Sequence, residues 1–243
     1  MKIRTLLESL DVAFSMYSAI PMPQIEWNER NMKYMMAFFP MVGVVQGALL
    51  LGFSLLAQAL GLGFVLFAAV AALLPLFVTG GIHLDGFCDT VDALSSHQTR
   101  EKKLEILKDP HTGAFAVMGC VAYLLLTFAL WTQPQGSGRW LTVQMMAVGF
   151  VLSRSMSALS VVSFPCAKSS GLVHSFSSAA QKRNVRIAAA VFAAACVLLW
   201  LWIHPLLGAG AGSAGGALAL PCREPETVRR HHRRPCRILF AAE

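Results

Sequence analysis

Three long stretches of the chain carry no Asp, Glu, Lys or Arg: Tyr34 to Leu84, Pro110 to Gly138, and Ile187 to Cys222. Each exceeds the ~20 residues that a helix needs to cross a bilayer core. Gly61 and Gly63 interrupt the first stretch, which predicts a helical hairpin over residues 35–60 and 62–82, with Pro40 and Pro75 as internal kinks. Further spans are predicted over 113–132, 141–162 and 186–208. Ahead of them, Ile3, Leu6, Leu7, Leu10, Phe14 and Tyr17 recur near one face of a 3.6-residue period, with Glu8, Ser9 and Asp11 largely opposite. Residues 3–17 therefore read as an amphipathic helix lying at the membrane interface, or alternatively as a short packing helix, ended by Pro21 and Pro23. Asp109-Pro110 reads as a helix start, with Asp as N-cap and Pro in the first turn. The expected fold is all-α: a polytopic integral membrane helical bundle of about five spans with an N-terminal amphipathic helix.

Composition sharpens this picture. The chain is 56% hydrophobic and 14% charged, outside the soluble range, in which about a quarter of residues are charged. Residues Met1 to Glu8 lack an apolar core with a cleavage site, so the first crossing is expected to direct insertion. Six scattered cysteines without a CxxC pair predict no disulfide framework. Lys and Arg number four before the first span, none at the 61–63 turn, four in the 83–112 loop, one in the next loop and four between 168 and 186. By the positive-inside rule, the N-terminus, the 83–112 loop and the 163–186 loop face the cytoplasm. An anionic partner is only weakly signalled by the net charge of +7, because six arginines after residue 222 supply much of it. Two regions are expected: a membrane domain over 1–216 and an atypical basic tail over 217–243. The tail's arginines suggest lipid or nucleic acid, and Cys222, His231, His232 and Cys236 suggest zinc. The abrupt shift in composition favours a replaced or out-of-frame end instead, so no nucleic-acid partner is expected.

Candidate chemistry begins where the first apolar stretch ends. Asp85, Asp89 and Asp92 fall at i, i+4 and i+7, so a helix there would carry three carboxylates on one face. Like charges at that spacing repel by a few tenths of a kcal/mol per pair and invite a cation. Carboxylates without accompanying Cys and His suit a hard ion, Mg²⁺ first, which commonly grips phosphate as well. A solvated acidic helix start would look similar, but ionisable groups at a membrane edge are usually functional. Arg154 lies well inside an apolar segment, at an insertion cost of ~2.5–3.5 kcal/mol. It calls for a carboxylate or a substrate phosphate as partner. His83 is a candidate proton shuttle or span cap, and Lys108 a candidate phosphate contact. Glu105 and Asp109 either extend the acidic site or belong to a charged loop helix, while Lys168 and His174 read as surface residues and Cys88 as packing.

The run Gly80-Gly81-Ile82-His83-Leu84-Asp85-Gly86-Phe87-Cys88-Asp89-Thr90-Val91-Asp92-Ala93, followed by Leu104-Glu105-Ile106-Leu107-Lys108-Asp109 and Gly113, resembles the signature of the cobalamin synthase (adenosylcobinamide-GDP ribazoletransferase) family. Ile20-Pro21-Met22-Pro23, Phe39-Pro40-Met41-Val42-Gly43, Arg154, Pro165 and Gly171-Leu172 extend the resemblance over roughly residues 10 to 190. It implies a multi-pass inner-membrane enzyme using Mg²⁺ that joins α-ribazole, or its 5′-phosphate, to adenosylcobinamide-GDP and releases GMP. On that reading Asp85, Asp89 and Asp92 hold metal, with Asp89 or Asp92 instead accepting the hydroxyl proton as the alternative role for one of them, and Arg154, Lys108 and His83 contact substrate. The family's late Gly-Gly-x-Thr-Gly-Asp segment and last helix have no counterpart after Gly215-Gly216. The remaining alternatives are a CDP-alcohol-type membrane phosphotransferase, a divalent-cation transporter and an inactive remnant. The lipid bilayer is an expected partner, and an oligomer stays open.

Overall fold

The computed structural model describes residues 3–134, 136–165 and 172–203, and every regular element among them is a helix. In order these are α1 (Ile3–Tyr17), α2 (Glu29–Ala59), α3 (Phe64–Thr79), α4 (Ile82–Ser95), α5 (Arg100–Ile106), α6 (Ala114–Trp131), α7 (Ser137–Ser163), α8 (Leu172–Ala179) and α9 (Lys182–Ile203). Among the described residues four helices, α2, α6, α7 and α9, are long and apolar enough to span a membrane. The pair α3 and α4, bent by 95°, makes up to five. The all-helical membrane bundle expected from the sequence is the fold. The 217–243 tail, with its arginines and Cys/His residues, lies outside the described residues, as do Cys166 and Lys168.

α2 is the central mast. It starts at a reciprocal cap: the Asn28 side chain accepts from the amides of Arg30 and Asn31, and the Asn31 side chain accepts from the Asn28 amide at 2.9 Å. Its glycines let α7 lie against it. A Cβ on Gly43 or Gly47 would stand 2.6 Å from the Phe150 carbonyl oxygen or 2.7 Å from that of Ala147. Such small residues four apart allow helix backbones to meet without water-driven burial. Two apolar cores follow, one joining α1, α2, α7, α8 and α9 around Phe39 and Phe176, the other joining α2, α3, α6 and α7 around Phe67 and Trp131. The outer sides of α6 and α9, including Val121, Leu125, Leu126, Leu198 and Trp202, are exposed and suit lipid.

The two ends of the bundle differ. At one, the Arg139 guanidinium at the start of α7 covers the Phe64 ring at 4.3 Å, beside the 61–63 turn. At the other, the Ala19 amide donates to Val78 O at 2.8 Å and the Gln181 amide to Lys33 O at 3.0 Å. The end of α1, the end of α3, the start of α2 and the start of α9 thus share one end, as the Lys/Arg alternation expects.

α1 forms over the predicted residues, and its inward face keeps the C-terminal part of the predicted one, Phe14 and Tyr17, but not its start. Ser9, Val12, Ala13, Phe14 and Tyr17 are buried, whereas Ile3 and Leu7 are 76% and 56% exposed. Small side chains let α1 approach α2, and the Ser9 hydroxyl is satisfied by donating to Thr5 O at 2.8 Å. Ile3 and Leu7 face outward, so the helix both packs and keeps an apolar outer side. Glu8 bridges Arg4 on its own helix and Arg30 on α2, at 2.9 and 2.7 Å. The hydrogen bond from Arg4, then that from Arg30, hold its carboxyl below the usual range. This clamp is complete above the ordinary carboxylate range and is lost as pH falls through the lowered value. Protection of the α1 amides, measured relative to their intrinsic exchange rate at each pH, should therefore fall in acid, and Glu8→Gln should show the lowered protection already at neutral pH.

Asp109 does not begin a helix. Its carboxylate accepts from the His111 amide at 3.0 Å and meets the His111 ring at 2.6 Å, closing a local turn. α6 starts later, at Ala114, because its cap comes from elsewhere in the chain.

Candidate active site

The site is built on the corner between α3 and α4. Gly80 and Gly81 both take left-handed backbone angles, φ 65° and 83°, which side chains other than glycine resist. The Gly81 amide donates back to Leu76 O at 3.0 Å, and the chain then departs at 95° as α4. The carboxylate stripe is therefore helical, as its spacing predicts. Asp85 sits in the first turn, where the helix dipole favours a negative charge. Asp85 is exposed, while Asp89 and Asp92 are half-buried.

Asp92 has a specific task. One carboxylate oxygen accepts from the Gly113 amide at 2.6 Å and the other from the Ala116 amide at 3.0 Å. Gly113 has no side chain of its own to cap α6, and a Cβ there would collide with the Asp92 carboxylate. Asp92 is thus the N-cap of α6, supplied across the α4–α6 seam. A second close approach, between Val91 and Gly119, tightens the same seam. Asp92→Ala should cost about 1–3 kcal/mol by stranding those amides. The loss should be read as a lower melting temperature in detergent that α5 and α6 substitutions outside the seam do not share.

Turned away from the stripe, His83 packs among aromatic rings, 6.1 Å from Tyr17 and 6.0 Å from Phe39 between centroids. Both of its ring nitrogens are buried with no hydrogen-bond partner among the described residues. Arg154, on α7 and 7% exposed, lies 5.7 Å over the Phe39 ring. Its charge acts on His83, and its Nη1 donates to Ser153 Oγ at 3.3 Å. Burial pushes the neighbouring Tyr17 hydroxyl up to about 12, so it stays protonated and donates weakly to Met36 Sδ at 3.9 Å. The structure therefore brings His83 and Arg154 together and turns Asp92 towards α6, with Asp85 on the cleft that Cys120 also lines.

The charged loop contributes less. Glu105 pairs with Lys102 at 2.8 Å and is held below its usual range by that hydrogen bond. Lys108 is exposed in the turn after α5, within the field of Glu105, and His174 is half-buried on α8. Among the described residues, no three His, Cys, Asp or Glu side chains converge as a ready-made metal cage.

A family profile described as cobalamin-5-phosphate synthase matches residues 9–224. The chain belongs to the cobalamin-5-phosphate synthase family. Over 204 residues it is 44% identical to an adenosylcobinamide-GDP ribazoletransferase of Lachnoclostridium phytofermentans, covering 83% of this chain and 76% of that protein. Enzymes of the same name from Desulfitobacterium hafniense and Fusobacterium nucleatum are 34% and 32% identical, over 70% and 67% of this chain and 67% and 60% of theirs. Against the matched Clostridium relatives, the chain spans about half their length. No solved structure matches it. The resemblance read from the 80–93 motif is therefore shown, and the chain is a member of a transferase family of cobalamin biosynthesis. Within this synthase-family site, sequence reasoning missed Tyr17 as a wall behind His83 and Gly119 as the close-approach position on α6. Gly119 carried a usable signal, since it stands alone in an apolar helix one turn beyond the capped start.

Proposed function

We propose that this chain joins α-ribazole, or its 5′-phosphate, to adenosylcobinamide-GDP, giving adenosylcobalamin or its 5′-phosphate and releasing GMP. The observation that supports this most directly is α4 itself. It leaves the bundle end at a double-glycine corner and carries Asp85 and Asp89 on one face, while Asp92 is anchored to α6. The ribazole hydroxyl attacks the cobinamide-side phosphorus of the pyrophosphate. The bond to the GMP oxygen breaks, and the hydroxyl proton passes to a base.

Mg²⁺ fits the residues present in a limited form: it commonly takes one or two carboxylates and completes its shell with water and substrate phosphate, so it needs no closed protein cage. Asp85 and Asp89 would hold it, and when bound it would neutralise charge on the pyrophosphate. Asp89 is also the proposed proton acceptor, since it is half-buried one turn on from the exposed Asp85. Asp92 positions α4 by fixing it to α6. Arg154, buried behind α4 beside His83, adds positive charge in a low-dielectric setting that favours a polyanion. Lys108 provides an exposed cation near the same end of the bundle.

The active end is proposed to face the cytoplasm from a bacterial inner membrane, in keeping with the Lys/Arg alternation. Membranes bearing the full chain, incubated with adenosylcobinamide-GDP, α-ribazole and Mg²⁺, should release GMP in step with a cobalamin product. Chelation by EDTA should stop the release. Absence of GMP from membranes that contain folded protein would overturn the reading.

A further inference from the structure

The α4–α6 seam holds a pair of thiols that the reaction does not use. Contacts along it run antiparallel in register: Asp92 meets Gly113 and Ala116, Val91 meets Gly119, and Phe87 meets Tyr123 with ring centroids 5.4 Å apart. That register sets Cys88 opposite Cys120, where the missing side chain of Gly119 draws the helices together. Cys120, Asp85 and Asp89 all lie close enough to act on Cys88. Both are free cysteines, both are partly exposed, and both line one cleft of about 380 Å³ together with Asp85 and the Gly80-Gly81 corner.

We propose that Cys88 and Cys120 form a dithiol site that a small-molecule disulfide closes into an intrachain bond, pinning α4 to α6 and slowing the transferase. The thiolate of Cys120 attacks a sulfur of the oxidant and releases one small thiol. The second cysteine then displaces the other half from the mixed disulfide. One protein S–S bond forms, the oxidant's S–S bond breaks, two electrons pass to the oxidant, and the two protons leave on the released thiols. The cross-link acts on the site because it fixes the helix that carries Asp85 and Asp89. Displacements of about 1 Å at such groups cost up to about a hundredfold in rate.

The test uses the full chain in membranes, with oxidised glutathione as the probe. Two readouts are taken: peptide mapping after alkylation of remaining thiols, and GMP release. The expected map joins the Cys88 and Cys120 peptides in a species about 2 Da lighter than their reduced sum. Release should fall by about tenfold and recover with dithiothreitol. Cys120→Ser should keep the basal rate and lose both the cross-linked species and the sensitivity. If Cys120→Ser does not fold, the wild-type map still decides. Failure to find the 88–120 peptide, or oxidant sensitivity that persists in Cys120→Ser, would overturn the proposal. A cross-link that forms without changing the rate would overturn the switch. The inhibition arm rests on the proposed transferase activity, whereas the peptide map does not, so a chain without GMP release still reports on the dithiol.

Discussion

Asp89→Asn is expected to reduce GMP release by about a thousandfold or more while leaving the protein folded and in the membrane. The carboxamide keeps the shape of the side chain and removes its charge, so cation binding and proton acceptance are lost together. Stability is read on the exposed Asp85: Asp85→Asn relieves about 0.2–0.5 kcal/mol of its i,i+4 repulsion with Asp89. A variant that melts at or slightly above the wild-type temperature yet is inactive would show stability given up for function. Asp85→Asn should follow this pattern. Asp92→Ala should differ, because its carboxylate caps α6: stability falls first, and activity falls with the folded fraction. The comparison is made by measuring GMP release per folded molecule together with melting in detergent. Wild-type turnover in Asp89→Asn would sink the assignment of the stripe as the reacting centre.

The sequence shows the spans because a bilayer requires long runs without charge, and such runs need no partner to be recognised. It also shows the stripe, since the i, i+4, i+7 spacing of Asp85, Asp89 and Asp92 needs only a helix to become a face. What it hides are relations between distant residues. Asp92 reads as a third equal carboxylate until its acceptors find Gly113 and Ala116, 21 and 24 positions further on. Asp109-Pro110 reads as a cap because the local residues suit one, but the Asp92 carboxylate wins the α6 amides and leaves Asp109 to His111. In α1 the periodicity correctly gives a helix and the inward Phe14 and Tyr17, but misplaces Ile3, Leu7 and Ser9. Ser9 and Ala13 pack on α2 because small residues permit close approach, a preference that a hydrophobicity pattern alone ranks too low. Arg154 was legible as an anomaly, and its neighbours Phe39, Tyr17 and His83 were not, since four different helices bring them together.

Gly47→Val is expected to unseat α2 from α7. A Cβ at Gly47 would lie 2.7 Å from Ala147 O and 3.3 Å from its Cα, and one at Gly43 would lie 2.6 Å from Phe150 O and 2.8 Å from the Val151 Cα. The obstructing atoms are backbone in the middle of a helix, so they cannot rotate aside as a side-chain tip would. Each valine should cost about 1–3 kcal/mol, and the pair should couple because both act on one seam. Gly52 supplies the control, as nothing lies within 4 Å of a Cβ there and Gly52→Val should melt with the wild type. The consequence reaches the site. Ala147 and Arg154 are about two turns apart on α7, so a displacement of that helix shifts the guanidinium from the Phe39 ring and from His83. Gly47→Val should therefore lower GMP release per folded molecule as well as the amount folded. Equal melting of Gly47→Val and Gly52→Val would show that the two backbones do not meet at Gly47.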